Sequence, residues 1–244
     1  VNQAAAGSSH AIFSVDSQHL FIDNNDIEEF YENGISVLAF NTTGHTIVSN
    51  NKLTGKDDTV TDHPQTGITI EGGKLTVKSN SIVLENGRIG TTDDVEGINV
   101  LDSEDAEITG NKINLNCKTA ASQNCPRYNG IRIFNVDNSD ISNNQITAVE
   151  ETDSENAPLF RPIIASGSCN HNTISNNKIK VDGMDVAAVL KAMYISGLND
   201  STIEANNIYF DNVDTTFDHI GIWLDASDRN TVNGNRINGV NKGR

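Results

Sequence analysis

The feature that most constrains this chain is a phrase written eight times: a branched apolar residue, two positions, an asparagine, one position and another apolar residue. It opens as Ile22-Asp23-Asn24-Asn25-Asp26-Ile27 and closes as Val232-Asn233-Gly234-Asn235-Arg236-Ile237. The versions between them are centred on Asn51, Asn80, Asn111, Asn144, Asn177 and Asn206. Successive phrase asparagines are therefore 26, 29, 31, 33, 33, 29 and 29 residues apart. A period of this size, built from strand-like units, specifies a stacked solenoid in which each repeat buries its apolar side against its neighbours.

A second station sets the register. Gly34-Ile35, Gly67-Ile68, Gly97-Ile98, Gly130-Ile131 and Gly221-Ile222 open short alternating strands; Ala11-Ile12, Ile163-Ile164 and Ala192-Met193 fill the same slot without glycine. From the slot's apolar residue to the asparagine is 13 residues in six of eight coils, 16 in the second and 12 in the third. Length varies mainly after the phrase, at residues 54–66, 114–128, 149–161, 180–190 and 210–220, so insertions are expected to emerge along one edge.

Alternation of period two sends one side chain in and the next out. The expectation is an all-β fold, a right-handed single-stranded parallel β-helix of about eight coils, forming one domain over residues 1–244. Strand crossovers of this kind are right-handed, and eight coils at about 4.8 Å each make a rod of roughly 38 Å. Ile12, Ile35, Ile68, Ile98, Ile131, Ile164, Met193 and Ile222 should form one inward column. The phrase asparagines should form a ladder at a bend, because asparagine tolerates left-handed backbone and its amide both donates and accepts. Only Met184–Leu190 could make a helical turn. A chain that starts at Val1 and stops at Arg244, one short strand after the last phrase, reads as a piece of a longer protein.

In its Gly-Ile-x-Ile and Ile-x-x-Asn-x-Ile phrases, from about Ala11 to Val240, the chain resembles the right-handed parallel β-helix repeats of pectate-lyase-like proteins. The resemblance implies the fold, and the acidic composition is consistent with an extracellular or cell-surface protein. It does not single out a chemistry, because that superfamily spans polysaccharide lyases, glycoside hydrolases, alginate epimerases, phage tailspikes and non-catalytic adhesins. The tyrosine-glycine-x-aspartate-proline-histidine type of signature expected of the epimerases is missing from this sequence.

The charge balance narrows the partners. There are 33 acidic and 17 basic residues, a formal net charge of -16. This excludes a nucleic-acid binder that relies on a basic surface and disfavours anionic lipid surfaces. A polyanionic substrate would need a local basic patch or Ca²⁺ to reverse the field. No stretch is apolar enough to span a membrane. Cys169 falls in the slot of Val136 and Leu198 and should pack inward. Cys117 and Cys125 either remain thiols or close a loop disulfide in an oxidising compartment. No metal site is indicated by their spacing.

The outer face of the first strand is the surface best placed to act on something. Its central row reads Phe13, Ser36, Thr69, Asn99, Arg132, Ala165, Tyr194 and Trp223. On the C-terminal side lie Glu71, Phe134, Ser196 and Asp225; on the N-terminal side lie Glu96, Asn129 and Lys191. Tyr194 and Trp223, one rung apart, suit stacking on sugar rings, unless the 210–219 segment folds over them. Asn99 and Glu71 join them as substrate-binding candidates.

The candidate catalytic groups are Arg132, Glu96, Lys191 and Asp225. Arg132 could neutralise a uronate or take a proton in a lyase; Lys191 could act as base if burial lowered its pKa. Glu96 and Arg132 could equally form a surface ion pair worth about 0–1 kcal/mol. Glycoside hydrolysis would need paired carboxylates, such as Asp225 with Asp228, or Asp102 with Glu104 or Asp105. Yet Glu104, Asp137, Asn170, Asn199 and Asp228 recur at one bend, which is turn chemistry. That column offers oxygen ligands of the kind Ca²⁺ takes; no other cofactor is required. His219, beside Asp218, is the best-placed histidine.

Two readings result. One is a secreted or surface β-helix that binds a polysaccharide or cell-surface glycan and, if an enzyme, cleaves it as a lyase or hydrolase. The other is a non-catalytic adhesin, passenger or stalk segment. A phage tailspike segment, trimeric with an apolar lateral face, is a third.

Overall fold

The structure, a computed structural model, describes residues 10–39, 44–56, 65–86, 94–117, 127–150, 160–182, 190–213 and 219–239. Among them every regular element is a β-strand. Most strands form three parallel sheets of eight, and Cys169–Asn170 pairs with Leu198–Asn199 in a small fourth sheet. The first sheet runs from His10–Val15 to His219–Asp225, the second from Phe21–Asp23 to Thr231–Asn233, and the third from Asp26–Phe30 to Arg236–Asn238. Each coil contributes one strand to each of the three large sheets and pairs in parallel with the coils below and above, which is a parallel β-solenoid. No helix of the described residues is long and apolar enough to cross a membrane.

The phrase asparagines make a continuous hydrogen-bonded column. In each rung the backbone N–H and the side-chain Nδ2 both donate to Oδ1 of the next asparagine. For Asn111 both distances to Asn144 are 3.0 Å. Nδ2 also donates down the column, as from Asn144 to the Ile108 carbonyl at 2.9 Å. One side chain thereby satisfies the buried backbone groups that a bend would otherwise leave unpaired. Asn51, Asn80, Asn111, Asn144, Asn177 and Asn206 are all at most 1 % exposed.

The left-handed position of this bend lies one residue earlier than expected. Asn24, Asn50, Ser79, Asn143, Asn176 and Ala205, not the ladder residues, have φ near +55°; Gly110 and Gly234 complete the series. A second polar column supports the bend after the first strand. There Ala106 N–H donates to Ser139 Oγ, Ser139 N–H to Asn172 Oδ1, Asn172 N–H to Ser201 Oγ and Ser201 N–H to Asn230 Oδ1.

Inside, like residues stack on like. Ile35, Ile68, Ile98, Ile131, Ile163 and Met193 form the first-sheet column, Val48, Val77, Ile108, Ile141, Ile174 and Ile203 the second, and Leu53, Ile82, Ile113, Ile146, Ile179 and Ile208 the third, all at most 1 % exposed. The glycine ahead of the first-sheet column is a steric requirement. A Cβ on Gly97 would stand 2.5 Å from the Gly130 carbonyl and 2.6 Å from Ile113 Cγ2.

Coil six departs from the expected register. Ile131 pairs with Ile163 and Arg132 with Ile164, so Ile163 holds the inward slot, Ile164 the outward row, and Ala165 turns in. The run Ile163-Ile164-Ala165 has no polar residue to set its parity, and either phase buries an isoleucine. Phe134 pairs with Ser166, a step of 32, whereas Ser139 bonds Asn172, a step of 33. Coil six therefore carries one extra residue, absorbed around Gly167 at φ +82°.

The longer connections all join a third-sheet strand to the next first-sheet strand. They are shorter than the sequence suggested, because strands reach into them: Lys112–Cys117 and Arg127–Asp137 enter 114–128 from both ends, Phe160–Ser166 begins inside 149–161, and Leu190 and His219 open strands. A comparable connection at 87–93 was not anticipated. Met184–Val189, His63, Cys125 and Asp218 lie outside the described residues. Cys169 is a buried free thiol aligned with Leu198, and Cys117 is disulfide-bonded.

Candidate functional site

The outer face of the first sheet holds its functional side chains in two rows. The central row runs Asn99, Arg132, Ile164, Tyr194, Trp223; Ile164 takes the place expected of Ala165. Three residues ahead, across the glycine or its substitute, lie Glu96, Asn129, Arg161 and Lys191. A three-residue step keeps both rows outside because the intervening Gly97 and Ile98 both turn towards the core.

The upper part of this face is a cation–aromatic cluster. Lys191 Nζ lies 4.1 Å from the Trp223 ring centre and 4.8 Å from that of Tyr194, and the Arg161 guanidinium lies 4.7 Å from Tyr194. Tyr194 is thus flanked by two cations. Trp223 remains 39 % exposed, while Tyr194, Lys191 and Arg161 are half-buried. Phe210, expected within a covering segment, is instead a buried third-sheet residue whose ring stacks on His219 at 5.6 Å. His219 itself is a strand residue.

Arg161 is the residue that sequence reasoning missed. It precedes Pro162, which stands in the glycine slot, so the strand start was read as insertion. Burial and the neighbouring Arg127 charge lower its pKa, and its buried Nε makes no hydrogen bond. Among the described residues neither Arg161 nor Lys191 forms an ion pair. In a chain of net charge -16, these are two cations held in no ion pair, with Asp94 exerting only a weak pull on Arg161.

The lower part is a polar network, in which Asn129 Oδ1 is buried without a hydrogen bond among the described residues. Arg132 Nη1 lies 3.6 Å from Glu96 Oε1 and donates to Asn99 Oδ1 at 3.4 Å. Asn129 Nδ2 is shared between Glu96 Oε1 and Asp94 Oδ2, both at 3.3 Å, and Asp94 pairs with Arg127 at 2.6 Å. Glu96 is only 5 % exposed. Burial is the main influence on its carboxyl and pushes the pKa up, with the Arg132 charge opposing.

The remaining candidates are not drawn in. Asp225 is exposed at the C-terminal end of its strand, in register with Ser196, and makes no ion pair with Arg132 or Lys191. Glu71 aligns with Leu101, two rungs from Arg132. The acidic bend column is turn structure: Asn170 N–H donates to Asp137 Oδ1 and Asp228 N–H to Asn199 Oδ1. No group of three or more metal-ligating side chains occurs among the described residues.

The arrangement can stack a flat apolar ring on Trp223 and Tyr194 while Lys191 and Arg161 meet its polar or anionic substituents. No family model matches the chain, and no curated protein or solved structure matches it either.

Proposed function

We propose that this chain is an extracellular or cell-surface β-solenoid that binds a polysaccharide along the outer face of its first sheet. The observation that carries the reading is the Arg161–Tyr194–Lys191–Trp223 cluster. Sugar C–H faces pack on exposed aromatic rings, and cations lacking carboxylate partners favour a glycan with acidic substituents. The disulfide at Cys117 is in keeping with an oxidising compartment. Because the ring contribution comes mainly from apolar area, Trp223→Ala should weaken binding by about 1–3 kcal/mol. Its melting temperature should stay near that of the parent chain. Calorimetry against immobilised or soluble polysaccharides measures the first and thermal melting the second. A large stability loss with binding intact would make Trp223 part of a packed cluster and favour the stalk reading.

A cleavage activity has one observation in its favour, the buried Glu96 carboxyl beside Arg132. A carboxyl whose pKa burial raises is shifted towards general-acid work. Incubation with a bound polysaccharide, followed by reducing ends and by absorbance of unsaturated products, tests hydrolase and lyase chemistry separately. Product from the parent chain that disappears in Glu96→Gln supports catalysis. Binding without product identifies an adhesin or stalk.

A further inference from the structure

The third sheet carries a charge pattern on its outer face that the first-sheet site does not use. The outward residue just after each ladder asparagine forms a straight column: Asp26, Lys52, Ser81, Lys112, Gln145, Lys178, Asn207, Arg236. From Lys52 onward, cations and neutral residues alternate without exception. Cations therefore recur every second rung, about 9.6 Å apart.

Repulsion explains part of this. Like charges directly opposite on neighbouring strands are destabilising, so lysines on consecutive rungs would be disfavoured. Repulsion does not explain the neutral spacers. In a chain with twice as many acids as bases, a carboxylate between two lysines would relieve the repulsion and add an attraction. The first rungs show this solution, with Lys52 held by Asp26 and Glu28, both at 3.1 Å. Further along, the spacers are the amides of Gln145 and Asn207. Lys112, Lys178 and Arg236 are exposed and form no ion pair among the described residues. On the same sheet, Asp182 and Asp211 are engaged by Lys180 at 2.7 and 3.2 Å.

We propose that this face is a docking surface for a linear anionic polysaccharide in which charged and neutral sugars alternate. The polymer lies along the rod axis, because an extended β-linked chain advances by close to one rung per sugar. Acidic groups then meet Lys112, Lys178 and Arg236, the hydroxyls or acetamido groups of a neutral sugar meet the exposed amide of Gln145, and Asn207, whose Nδ2 donates to Tyr209 Oη, keeps its rung free of charge. The cations are exposed, so the contact is weak per site and sensitive to salt.

Hyaluronan oligosaccharides, which alternate charged and neutral sugars, are the probe, and oligogalacturonate, charged on every sugar, is the contrast. Titration calorimetry at low salt should show hyaluronan bound more tightly than oligogalacturonate. Lys112→Gln/Lys178→Gln/Arg236→Gln should lower hyaluronan affinity by about tenfold, three exposed charges at roughly 0.5 kcal/mol each. Gln145→Lys/Asn207→Lys should shift preference towards oligogalacturonate. Unchanged melting temperatures confirm that these surface variants fold. The proposal is overturned if oligogalacturonate binds as well or better, if hyaluronan does not bind, or if the triple variant binds it unchanged. Lys191→Ala/Trp223→Ala separates the two faces: loss of hyaluronan binding in that variant assigns the polymer to the first sheet instead.

Discussion

At the scale of single residues, the chemistry turns on side chains whose surroundings oppose their charge. Glu96 is the clearest. Burial leaves the folded chain holding a proton there at a pH where the unfolded chain has lost it. The folded state then binds more protons, so stability falls as pH rises from the ordinary glutamate range through the elevated folded value, and levels off above it. Glu96→Gln removes that slope. Urea unfolding across this window should show the variant gaining on the parent as pH rises; a constant difference would mean that Arg132 offsets the burial. Tyr194 and Trp223 were legible as an outward row because strand alternation places them, whereas Lys191 and Glu96 lie three residues away, where only the inward turn of two successive residues keeps them outside. Arg161 was hidden by the loss of the glycine marker at Pro162. The cation column of the third sheet stands in the open position of the Asn-x-apolar phrases, an outward site where folding sets no residue preference. The pairing of Glu96 with Asp94 through Asn129 depends on three-dimensional proximity that spacing alone does not convey.

At the scale of the coil, the ladder side chain and the left-handed residue before it divide the work of one bend. Removing the first breaks several bonds together: Asn144→Ala leaves the N–H and Nδ2 of Asn111 without their acceptor and removes two donations by Asn144 itself. With buried partners left unmet, the loss should be on the order of 3 kcal/mol in denaturant unfolding. The second can be improved. Ala205 adopts φ +53° where most other coils place asparagine or glycine, and its side chain is exposed. Ala205→Asn should raise stability by about 0.5–1 kcal/mol, since left-handed backbone is unfavourable for alanine. A neutral or negative change would show that the bend's backbone strain is compensated elsewhere. The three strands of a coil were readable from their periodicity. The parity of Ile163-Ile164-Ala165 was not, because only contrast between polar and apolar neighbours fixes which way a strand faces. The serine and asparagine column at the first bend was obscured by its mixed composition.

At the scale of the molecule, burial is uneven along the rod. In the last coil Leu224, Val232 and Ile237 are 41, 48 and 37 % exposed, whereas their counterparts one coil back, Ile195, Ile203 and Ile208, are at 0 %. A solenoid is stabilised rung by rung through nearest neighbours. Amide hydrogen exchange of this chain should therefore be fastest in Thr231–Asn233 and Arg236–Asn238 and slowest in coils four to six, with fraying from the ends inward. Uniform protection would indicate that the coils open together. The extra residue of coil six has a wider meaning. Its effect is spent within one bend, and the asparagine spacing resumes at the next station. Each ladder side chain thus behaves like the tooth of a ratchet wheel, re-indexing the chain once per turn. Miscounts do not accumulate, and the lineage of such a chain is free to lengthen or shorten its loops, one coil at a time, without recalibrating the rest.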